Sequence, residues 1–308
     1  MRRAVMTIAT GHANYRQMAI NLARSFGRWH RESDIGFVLA TDSPKPLPPD
    51  LDFVHVRRLA PQEIPPGFAG KLYMDRLSPA EQTLFIDSDC LCVANLEGVF
   101  ERMRGNTFTV VGRGCAAGEF FGDIEQRRST FSLNEVPVFV GAVYYFERGL
   151  VADKVFGRAR QLVERYDELG FVRLRGKPNE EPLLSVAMAE NNQAPIPDTG
   201  DIKADAMDCE EFECEVLAGS RRVVSRALGR VEPAIMHFND SFTATPCYGA
   251  QMIALRLQGR LRLPRAIASA LGTLAWGLPR SLWMKMKDRA RPTYRRFFGV
   301  RRVRSVRA

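Results

Sequence analysis

The arrangement of apolar segments limits the fold more than any other feature of the sequence. Through the first half of the chain, short strand-like apolar runs alternate with stretches whose apolar residues recur at helical spacing. This alternation is typical of parallel strands joined by crossover helices. We therefore predict an α/β fold with a mixed, mainly parallel sheet flanked by helices. The predicted strands are Ala4–Thr10, Ile35–Thr41, Asp52–Arg57, Thr83–Asp87, Phe108–Gly112, Phe139–Phe146 and Ala234–Phe238.

Three helices are predicted between or after these strands. The first has an apolar stripe formed by Tyr15, Met18, Ala19, Leu22, Phe26 and Trp29. The other two are Leu150–Leu169, which is long and charged, and Glu180–Glu190. Residues 113–135 are polar and rich in glycine, which predicts a loop over a site.

The chain has 308 residues, 45% of them hydrophobic, and can therefore bury a full core, which excludes disorder as the main state.

Charge divides the chain into two parts. Residues 1–250 hold 29 basic and 34 acidic residues, whereas residues 251–308 hold 15 basic residues and one acidic residue, Asp288. We predict one domain over 1–250 and a basic amphipathic helical extension over 251–308. Such a tail favours an anionic partner.

The extension has an apolar segment followed by aromatic and basic residues. Residues 266–279 are uncharged, but a membrane span needs about 18 residues or more. Ile267, Leu271 and Leu274 recur at helical spacing, and Trp283 lies among basic residues. This predicts an interfacial helix, with residues 255–308 on an anionic membrane surface. The alternative is a helix packed on the domain with a disordered basic end. No nucleic-acid motif accompanies the charge, so no nucleic-acid partner is expected.

The N-terminus and the cysteines indicate the compartment. The apolar stretch Ala4–Thr10 is too short for a signal peptide. Six cysteines without a C-x-x-C pair predict reduced thiols in a cytoplasmic protein. With the basic extension, this predicts peripheral attachment at the inner face of the membrane. Cys90 and Cys92 are predicted on a buried strand face, and the usual zinc-ligand spacings are absent.

The segment with the clearest chemical meaning is Thr83–Asp89. An apolar run that ends in Asp87 and Asp89 places two carboxylates at the carboxyl edge of a buried strand, where open α/β sheets bind ligands. With a period of two, both carboxylates can point the same way and Ser88 the opposite way. Such oxygen ligands suit Mg²⁺ or Mn²⁺. The alternative is a strand-end turn that leads into a helix at Asn95.

A second Asp-x-Asp sequence shows that so short a motif can recur by chance. Asp50-Leu51-Asp52 lies in a proline-rich connection, where a turn role explains it. The apolar strand before Asp87 is what this second copy lacks. We therefore take only Asp87 and Asp89 as metal-site candidates.

Several segments together resemble a known family. They are Thr83–Phe100, Thr10-Gly11-His12-Ala13-Asn14-Tyr15, Gly70-Lys71-Leu72, Phe139-Val140-Gly141-Ala142-Val143, Glu180-Glu181-Pro182-Leu183-Leu184 and Ile235-Met236-His237-Phe238. In this order they resemble motifs of GT-A glycosyltransferases, especially the glycogenin-like and lipopolysaccharide galactosyl- and glucosyltransferases. The resemblance covers residues 4–240 and implies a GT-A, Rossmann-like fold.

The resemblance also implies a set of site residues. The implied metal ligands for Mn²⁺ or Mg²⁺ are Asp87, Asp89 and His237. The implied donor-binding residues are Thr10, Gly11, Asn14, Tyr15, Lys71, Asp87, Ser88 and Gly141. The implied catalytic residues, which contact the sugar or position the acceptor, are Glu180 and Glu181. The chain departs from the family after His237, where no Gly-x-x-Lys-Pro-Trp follows, and before Gly141, where the family has Asn.

Each residue also has a structural alternative. Asn14 and Tyr15 suit an ordinary helix start, and Lys71 suits a solvated charge. Gly141 suits a bulge or close packing in a strand. The two glutamates suit a helix N-terminus, where acids stabilise the dipole. His237 suits a hydrogen-bonded core residue.

The function implied is transfer of a sugar from a nucleotide diphosphate, with UDP expected, to a glycan or lipid-linked acceptor. Retention at the anomeric carbon would fit the glycogenin-like resemblance. One alternative is a phosphohydrolase of the haloacid dehalogenase type with Asp87 as nucleophile, although Cys90-Leu91 follows where a small residue and Thr are expected. Another is a non-catalytic basic scaffold at the membrane surface.

Overall fold

The computed structural model describes residues 1–298, and the last part of the predicted tail, residues 299–308, lies outside the described residues. The strands are β1 (Arg3–Ala9), β2 (Ile35–Thr41), β3 (Val54–Arg58), β4 (Gln82–Ile86), β5 (Cys90–Cys92), β6 (Phe108–Cys115), β7 (Val136–Glu147), β8 (Lys203–Asp205), β9 (Cys209–Glu215), β10 (Ser220–Ser225), β11 (Gly229–Val231) and β12 (Ile235–His237). All seven predicted strands are present, with ends shifted by up to three residues.

A six-stranded sheet in the order β3-β2-β1-β4-β7-β6 forms the centre of the molecule. Strands β1 to β4 are parallel, and β7 runs antiparallel between β4 and β6. Alternate residues of the inner strands enter different cores: Val5 and Leu84 face one apolar cluster, and Met6 and Phe85 face the other. Burial on both faces explains why these strands are continuous apolar runs. The predicted mixed, mainly parallel α/β sheet is confirmed.

The helices cover both faces of this sheet. They are α1 (Ala13–His30), α2 (Met74–Leu77), α3 (Glu97–Met103), α4 (Ile124–Phe131), α5 (Leu150–Val163), α6 (Glu180–Glu190), α7 (Pro246–Leu261), α8 (Arg265–Gly272) and α9 (Leu278–Phe298). The apolar stripe predicted for the first helix buries Ala19, Leu22 and Phe26, while Tyr15 stays half exposed. Helix α6 has the predicted bounds.

Three predictions about the middle of the chain were wrong. Residues 113–135 are not one loop, because β6 extends to Cys115 and α4 follows, with Asp123 accepting a hydrogen bond from the Gln126 amide as N-cap. The helix predicted over Leu150–Leu169 ends at Val163, and the turn after it buries Tyr166. The helix expected at Asn95 begins at Glu97, whose amide donates to Asn95 Oδ1.

Two smaller sheets lie beyond the central one. One has the order β5-β12-β8 and carries the buried Cys90 and Cys92 as predicted. The other is the antiparallel meander β9, β10 and β11, which the sequence analysis did not predict. The small β5-β12-β8 sheet matters for function because it continues directly from the Asp87–Asp89 turn.

The C-terminal helices begin on the domain itself. Helix α7 spans both sides of residue 250, and its Ala254 and Leu255 are buried in a third apolar cluster. Helix α8 packs on α7, where a Cβ added to Gly272 would lie 2.4 Å from the Ala250 carbonyl oxygen. A π-helical turn, Thr273–Gly277, leads into α9. Within residues 1–298, the helices are all too short or too polar to span a membrane.

Candidate active site

The site forms where β4 ends. The Asp87 amide donates to the Ala142 carbonyl oxygen at 2.9 Å, which keeps Asp87 in the sheet beside β7. The Cys90 amide then donates to the Asp87 carbonyl oxygen at 3.0 Å, which closes a tight turn. The expected strand alternation through Asp89 was therefore wrong: Ser88 and Asp89 lie in a turn between two strands. Both acids remain at the carboxyl edge of the central sheet.

Lys71 comes to this edge from the 3-10 segment Gly67–Tyr73. Its Nζ lies 2.8 Å from Asp87 Oδ2, 2.8 Å from the Gly141 carbonyl oxygen and 2.8 Å from Glu180 Oε1. Three acceptors match the three N–H donors of an ammonium group. Burial lowers the pKa of Lys71, but Asp87 and Glu180 outweigh it and raise the pKa above its usual value. Lys71 is thus a permanent, buried cation and not a solvated charge.

The two aspartates differ in their electrostatic surroundings. Burial raises the pKa of Asp87, Lys71 opposes this, and the resulting pKa is about 6. Burial also raises the pKa of Asp89, but the hydrogen bond with His237 and the charges of His237 and Lys71 together outweigh burial and hold the pKa below its usual value. The raised pKa of Asp87 therefore reflects burial first, with the charges of Asp89 and Glu180 adding to it. A divalent cation would offset these negative charges.

His237 reaches Asp89 from the last strand of the small sheet. Its Nε2 lies 3.4 Å from Asp89 Oδ1, and its Nδ1 lies 2.6 Å from Asp205 Oδ1. Burial lowers the pKa of His237, but the hydrogen bonds with Asp205 and Asp89 outweigh it and raise the pKa to about 10. His237 is thus a buried, hydrogen-bonded histidine, and its Nε2 also faces the Asp87–Asp89 turn.

A metal ion fits this arrangement of donors. Ligand atoms of Asp89, Cys90 and His237 lie within 4.8 Å of one another. Asp87 is outside this cluster, with Oδ2 on Lys71, but it precedes Asp89 by two residues in the same turn. Burial raises the pKa of the Cys90 thiol well above its usual value, so the thiol is a poor ligand. Two carboxylates and an imidazole remain, a donor set suited to Mn²⁺ and similar ions.

The two glutamates face Gly141 from the start of α6. Glu181 Oε1 accepts a hydrogen bond from the Gly141 amide at 3.0 Å, and Glu180 Oε1 accepts one from the Tyr144 hydroxyl at 3.1 Å. A Cβ at Gly141 would lie 2.3 Å from that hydroxyl and 2.9 Å from both glutamates. Close packing therefore requires glycine here. Burial, and then the charge of Glu180, raises the pKa of Glu181 to about 8.

The Thr10–Tyr15 loop lies at the same sheet edge but apart from this network. It follows β1, which pairs in parallel with β4. Gly11 has a φ of +79°, a conformation that favours glycine, and its amide donates to Asp42 Oδ2 at 2.9 Å. In residues 1–298, no hydrogen bond joins this loop to Lys71 or to the Asp87–Asp89 turn. A ligand at the edge would be needed to connect the two groups.

The second Asp-x-Asp sequence has the structural role expected of it. Asp50 forms a buried ion pair with Arg24 at 2.7 Å, and Asp52 forms an exposed one with Arg31 at 2.6 Å. Among the described residues, the ion pairs of these two aspartates do not involve the turn between β4 and β5. Asp52 is therefore a natural control for substitutions at Asp89.

Sequence reasoning missed four residues of the site. Tyr144 and Asp42 had weak signals, since one lies inside a predicted strand and the other directly follows one. Lys203 and Asp205 lie on β8, a strand that was not predicted because two of its three residues are charged. Two opposite charges at positions i and i+2, which share one face of a strand, were the available signal.

Comparison with known proteins supports the fold. Neither protein-family profiles nor curated protein sequences match the chain. Among solved structures, galactosyltransferase LgtC in complex with donor and acceptor sugar analogues is similar, with a TM-score of 0.54 and 12% identity over 87% of this chain and 95% of that chain. An active-site mutant of LgtC gives 0.51 and 11%, over 77% and 87%. The bifunctional glycosyltransferase WbbM gives 0.50 and 12%, over 87% of this chain and 51% of that one. The chain therefore has the GT-A glycosyltransferase fold that the resemblance implied.

Proposed function

We propose that the protein is a metal-dependent glycosyltransferase that moves a sugar from a nucleotide diphosphate, with UDP as the expected carrier, to a glycan or lipid-linked acceptor. One observation carries the proposal. The turn after β4 brings Asp87 and Asp89 together with Lys71, Glu180 and His237, which come from separate parts of the chain. The similarity to glycosyltransferases that have the same fold supports it.

Each group of residues has a proposed part in the transfer. Asp87, Asp89 and His237 would hold Mn²⁺ or Mg²⁺, which would act as a Lewis acid on the departing diphosphate. Lys71 holds Asp87 and Glu180 in place, and the resemblance also assigns it to the donor diphosphate. Thr10, Gly11, Asn14, Tyr15 and Ser88 line the donor side of the sheet edge.

The acceptor side is assigned to α6 and β7. Glu180 and Glu181 are fixed against Gly141, so their positions relative to the sheet edge are set by packing. The bond from the anomeric carbon to the diphosphate breaks and the departing diphosphate keeps the electron pair. A bond to the acceptor oxygen forms, and the proton of the acceptor hydroxyl passes to an oxygen of the departing diphosphate. Positioning of the two substrates supplies much of the rate in such a reaction.

The donor site is tested by a thermal-shift screen of UDP-, GDP-, TDP- and CMP-sugars with and without Mn²⁺. A ligand at about a hundred times its Kd stabilises by roughly 2.7 kcal/mol, a shift of a few degrees. We expect a Mn²⁺-dependent shift with one nucleotide class, lost in Asp89→Ala and kept in Asp52→Ala. No shift with any donor would contradict the proposal. Metal-dependent phosphatase activity lost in Asp87→Asn would favour the phosphohydrolase.

We also propose that the C-terminal helices attach the protein to an anionic membrane surface at the cytoplasmic face. The supporting observation is a set of exposed apolar side chains on α8, the π-turn and α9: Ile267, Leu271, Leu274, Trp276, Leu278, Leu282, Trp283, Met284 and Met286. Exposed basic side chains accompany them, namely Arg265, Lys285, Lys287 and Arg289. Apolar anchors beside positive charge suit an interfacial helix.

The attachment is tested by co-sedimentation with vesicles of phosphatidylcholine, with or without phosphatidylserine. Because Leu255 is buried in the domain, the deletion variant should remove residues 279–308 rather than start at 255. We expect binding only to the vesicles with phosphatidylserine, loss on deletion and weakening in Leu282→Glu. Leu228→Glu, an exposed leucine on the turn between β10 and β11, is the matched control. Equal binding of the deletion variant would contradict the attachment.

A further inference from the structure

Three side chains form a row across one face of the small sheet. The register pairs His237 with Cys90 on one side and with Asp205 on the other, so all three project from the same face. Lys203, two residues before Asp205, shares that face. We propose that Asp205, supported by Lys203, is a positioning residue that fixes the His237 ring for metal binding. This inference rests on the proposed metal-dependent function.

The hydrogen bond between Asp205 and His237 determines which ring nitrogen is available. Asp205 Oδ1 lies 2.6 Å from Nδ1 and is an ionised acceptor, so Nδ1 donates its hydrogen. Nε2 is then the nitrogen whose hydrogen a metal ion would displace, and it faces Asp89 Oδ1 at 3.4 Å. A histidine ligand commonly donates its other N–H to a carboxylate, which fixes the tautomer and the ring orientation.

Lys203 explains how Asp205 can be both buried and ionised. Both side chains are less than 10% exposed, and Lys203 Nζ bonds Asp205 Oδ2. The ammonium group therefore satisfies one carboxylate oxygen and leaves the other for His237. An isolated charge buried this deeply would destabilise the fold, but here each charge compensates the other.

A simpler explanation is that Asp205 only neutralises Lys203. The two explanations differ in what Asp205→Asn does. Lys203 Nζ can donate only, so it selects the oxygen of the introduced side-chain amide and turns the amide N–H₂ toward His237 Nδ1. Nδ1 must then accept, and the ring hydrogen moves to Nε2, the atom that faces the metal site. Positioning by Asp205 therefore predicts a change of tautomer, whereas charge neutralisation alone does not.

The test combines metal titration with NMR of the full-length protein. We expect Asp205→Asn to weaken Mn²⁺ binding, measured by calorimetry, by about 10- to 100-fold. The loss should be smaller for Mg²⁺, which favours oxygen ligands over imidazole. The ¹⁵N spectrum is tractable because the chain has only four histidines. Because the metal-free ring of the wild type carries a hydrogen on both nitrogens, the spectra are recorded with Mg²⁺ added. They should show the remaining His237 hydrogen on Nδ1 in the wild type and on Nε2 in the variant.

Two control variants make the outcome decisive. Asp75→Asn breaks another buried carboxylate pair, with Arg160, and should leave Mn²⁺ affinity unchanged. Lys203→Met/Asp205→Leu removes both buried charges together, so it tests the proposal even if Asp205→Asn unfolds. Positioning predicts weak Mn²⁺ binding in the double variant. Wild-type affinity there, or an unchanged tautomer in Asp205→Asn, would overturn it. Absence of Mn²⁺ binding by the wild type would instead overturn the proposed function.

Discussion

At the scale of single residues, the charge balance of the site depends on Lys71. Its side chain is 13% exposed, and it separates Asp87 from Glu180, which is 1% exposed. Removing one partner of a buried ion pair leaves an uncompensated charge and costs about 3–5 kcal/mol. We expect Lys71→Met to lose about 3 kcal/mol of unfolding free energy at pH 7 in urea titrations.

The control for Lys71 is Lys154→Met, an exposed lysine on α5. A surface change of this kind is usually worth no more than about 0.5 kcal/mol. The loss in Lys71→Met should also shrink at low pH, because protonation of the carboxylates removes their need for a counter-charge. Equal stability of the two variants at pH 7 would refute this account of Lys71.

Glu181 gives a pH-dependent prediction at the same scale. Burial, and then the charge of Glu180, raises its folded-state pKa to about 8 from an ordinary value of 4.5. A raised pKa means that this group stabilises fully below 4.5 and that the contribution is lost as the pH rises through 8. Glu181→Gln keeps an oxygen for the Gly141 amide without the charge. We expect it to be more stable than the wild type by about 4 kcal/mol at pH 8 and equally stable at pH 4.

The measurement for Glu181 is urea unfolding at the two pH values. Glu164→Gln, an exposed residue just after α5, is the control and should change stability at neither pH. A stabilisation of Glu181→Gln that was the same at pH 4 and pH 8 would show that ionisation is not its cause.

At the scale of secondary-structure elements, the strands and helices that could be predicted from the sequence are those that bury apolar side chains. Strands such as β1 and β2 are buried on both faces, so their apolar runs mark them in the sequence. The meander strands β9 and β10 were missed because they are polar and mostly not buried: β9, Cys209–Glu215, is mostly acidic, and β10, Ser220–Ser225, has one buried residue. Helix α4 was missed because its sequence is polar and its ends are set by Asp123 and by Ser132 with φ +54°. Such local capping carries little hydrophobic periodicity.

The packing of α8 on α7 is a prediction at the element scale. A Cβ at Gly272 would lie 2.4 Å from the Ala250 carbonyl oxygen and 3.1 Å from the Ala254 nitrogen, both in the backbone of α7. Gly272→Val should therefore push the helices apart and destabilise the domain by about 1–3 kcal/mol. Limited trypsin digestion should then cut faster at Arg265, where α8 begins.

The control for α8 is Gly277→Ala. Its added Cβ would lie 3.4 Å from the Ala250 Cβ, an ordinary contact. We expect wild-type digestion and stability for this variant. If Gly272→Val matched it, α8 would not be packed on the domain as described.

At the scale of the whole molecule, stability in acid depends on a buried histidine between α1 and the segment before α3. His30 Nε2 accepts a hydrogen bond from the Leu96 amide at 2.9 Å, and its ring stacks on Phe26. Burial lowers its pKa from 6.5 to about 4. A depressed pKa means that its contribution is present above 6.5 and lost as the pH falls toward 4, because only the unfolded chain takes up the proton. The wild type should lose about 3 kcal/mol more than His30→Gln between pH 7 and pH 4.

Urea titrations of the wild type and His30→Gln at several pH values measure this difference. The carboxylates titrate in both proteins, so their effects cancel in the comparison. Parallel stability profiles from pH 7 to pH 4 would contradict the role given to His30.

The site residues that lie in one recognisable segment could be predicted from the sequence. The contacts between residues far apart in the chain could not. Asp87 and Asp89 follow an apolar strand, so sequence order alone placed them at the sheet edge. His237 was implied by resemblance, and the partner at its Nδ1, Asp205, required the pairing of β8 with β12. The enclosure of Lys71 by Asp87 and Glu180 likewise depends on contacts between residues far apart in the chain.

The central claim is that the Asp87–Asp89 turn binds a metal for sugar transfer. The most direct measurement is release of the nucleoside diphosphate from the donor that the screen identifies, with Mn²⁺ or a chelator present. The account predicts release with Mn²⁺ by the wild type and by Asp52→Ala, and loss of at least about 100-fold in Asp89→Ala, a factor that corresponds to about 2.7 kcal/mol. Release that persisted with the chelator, or in Asp89→Ala, would contradict it.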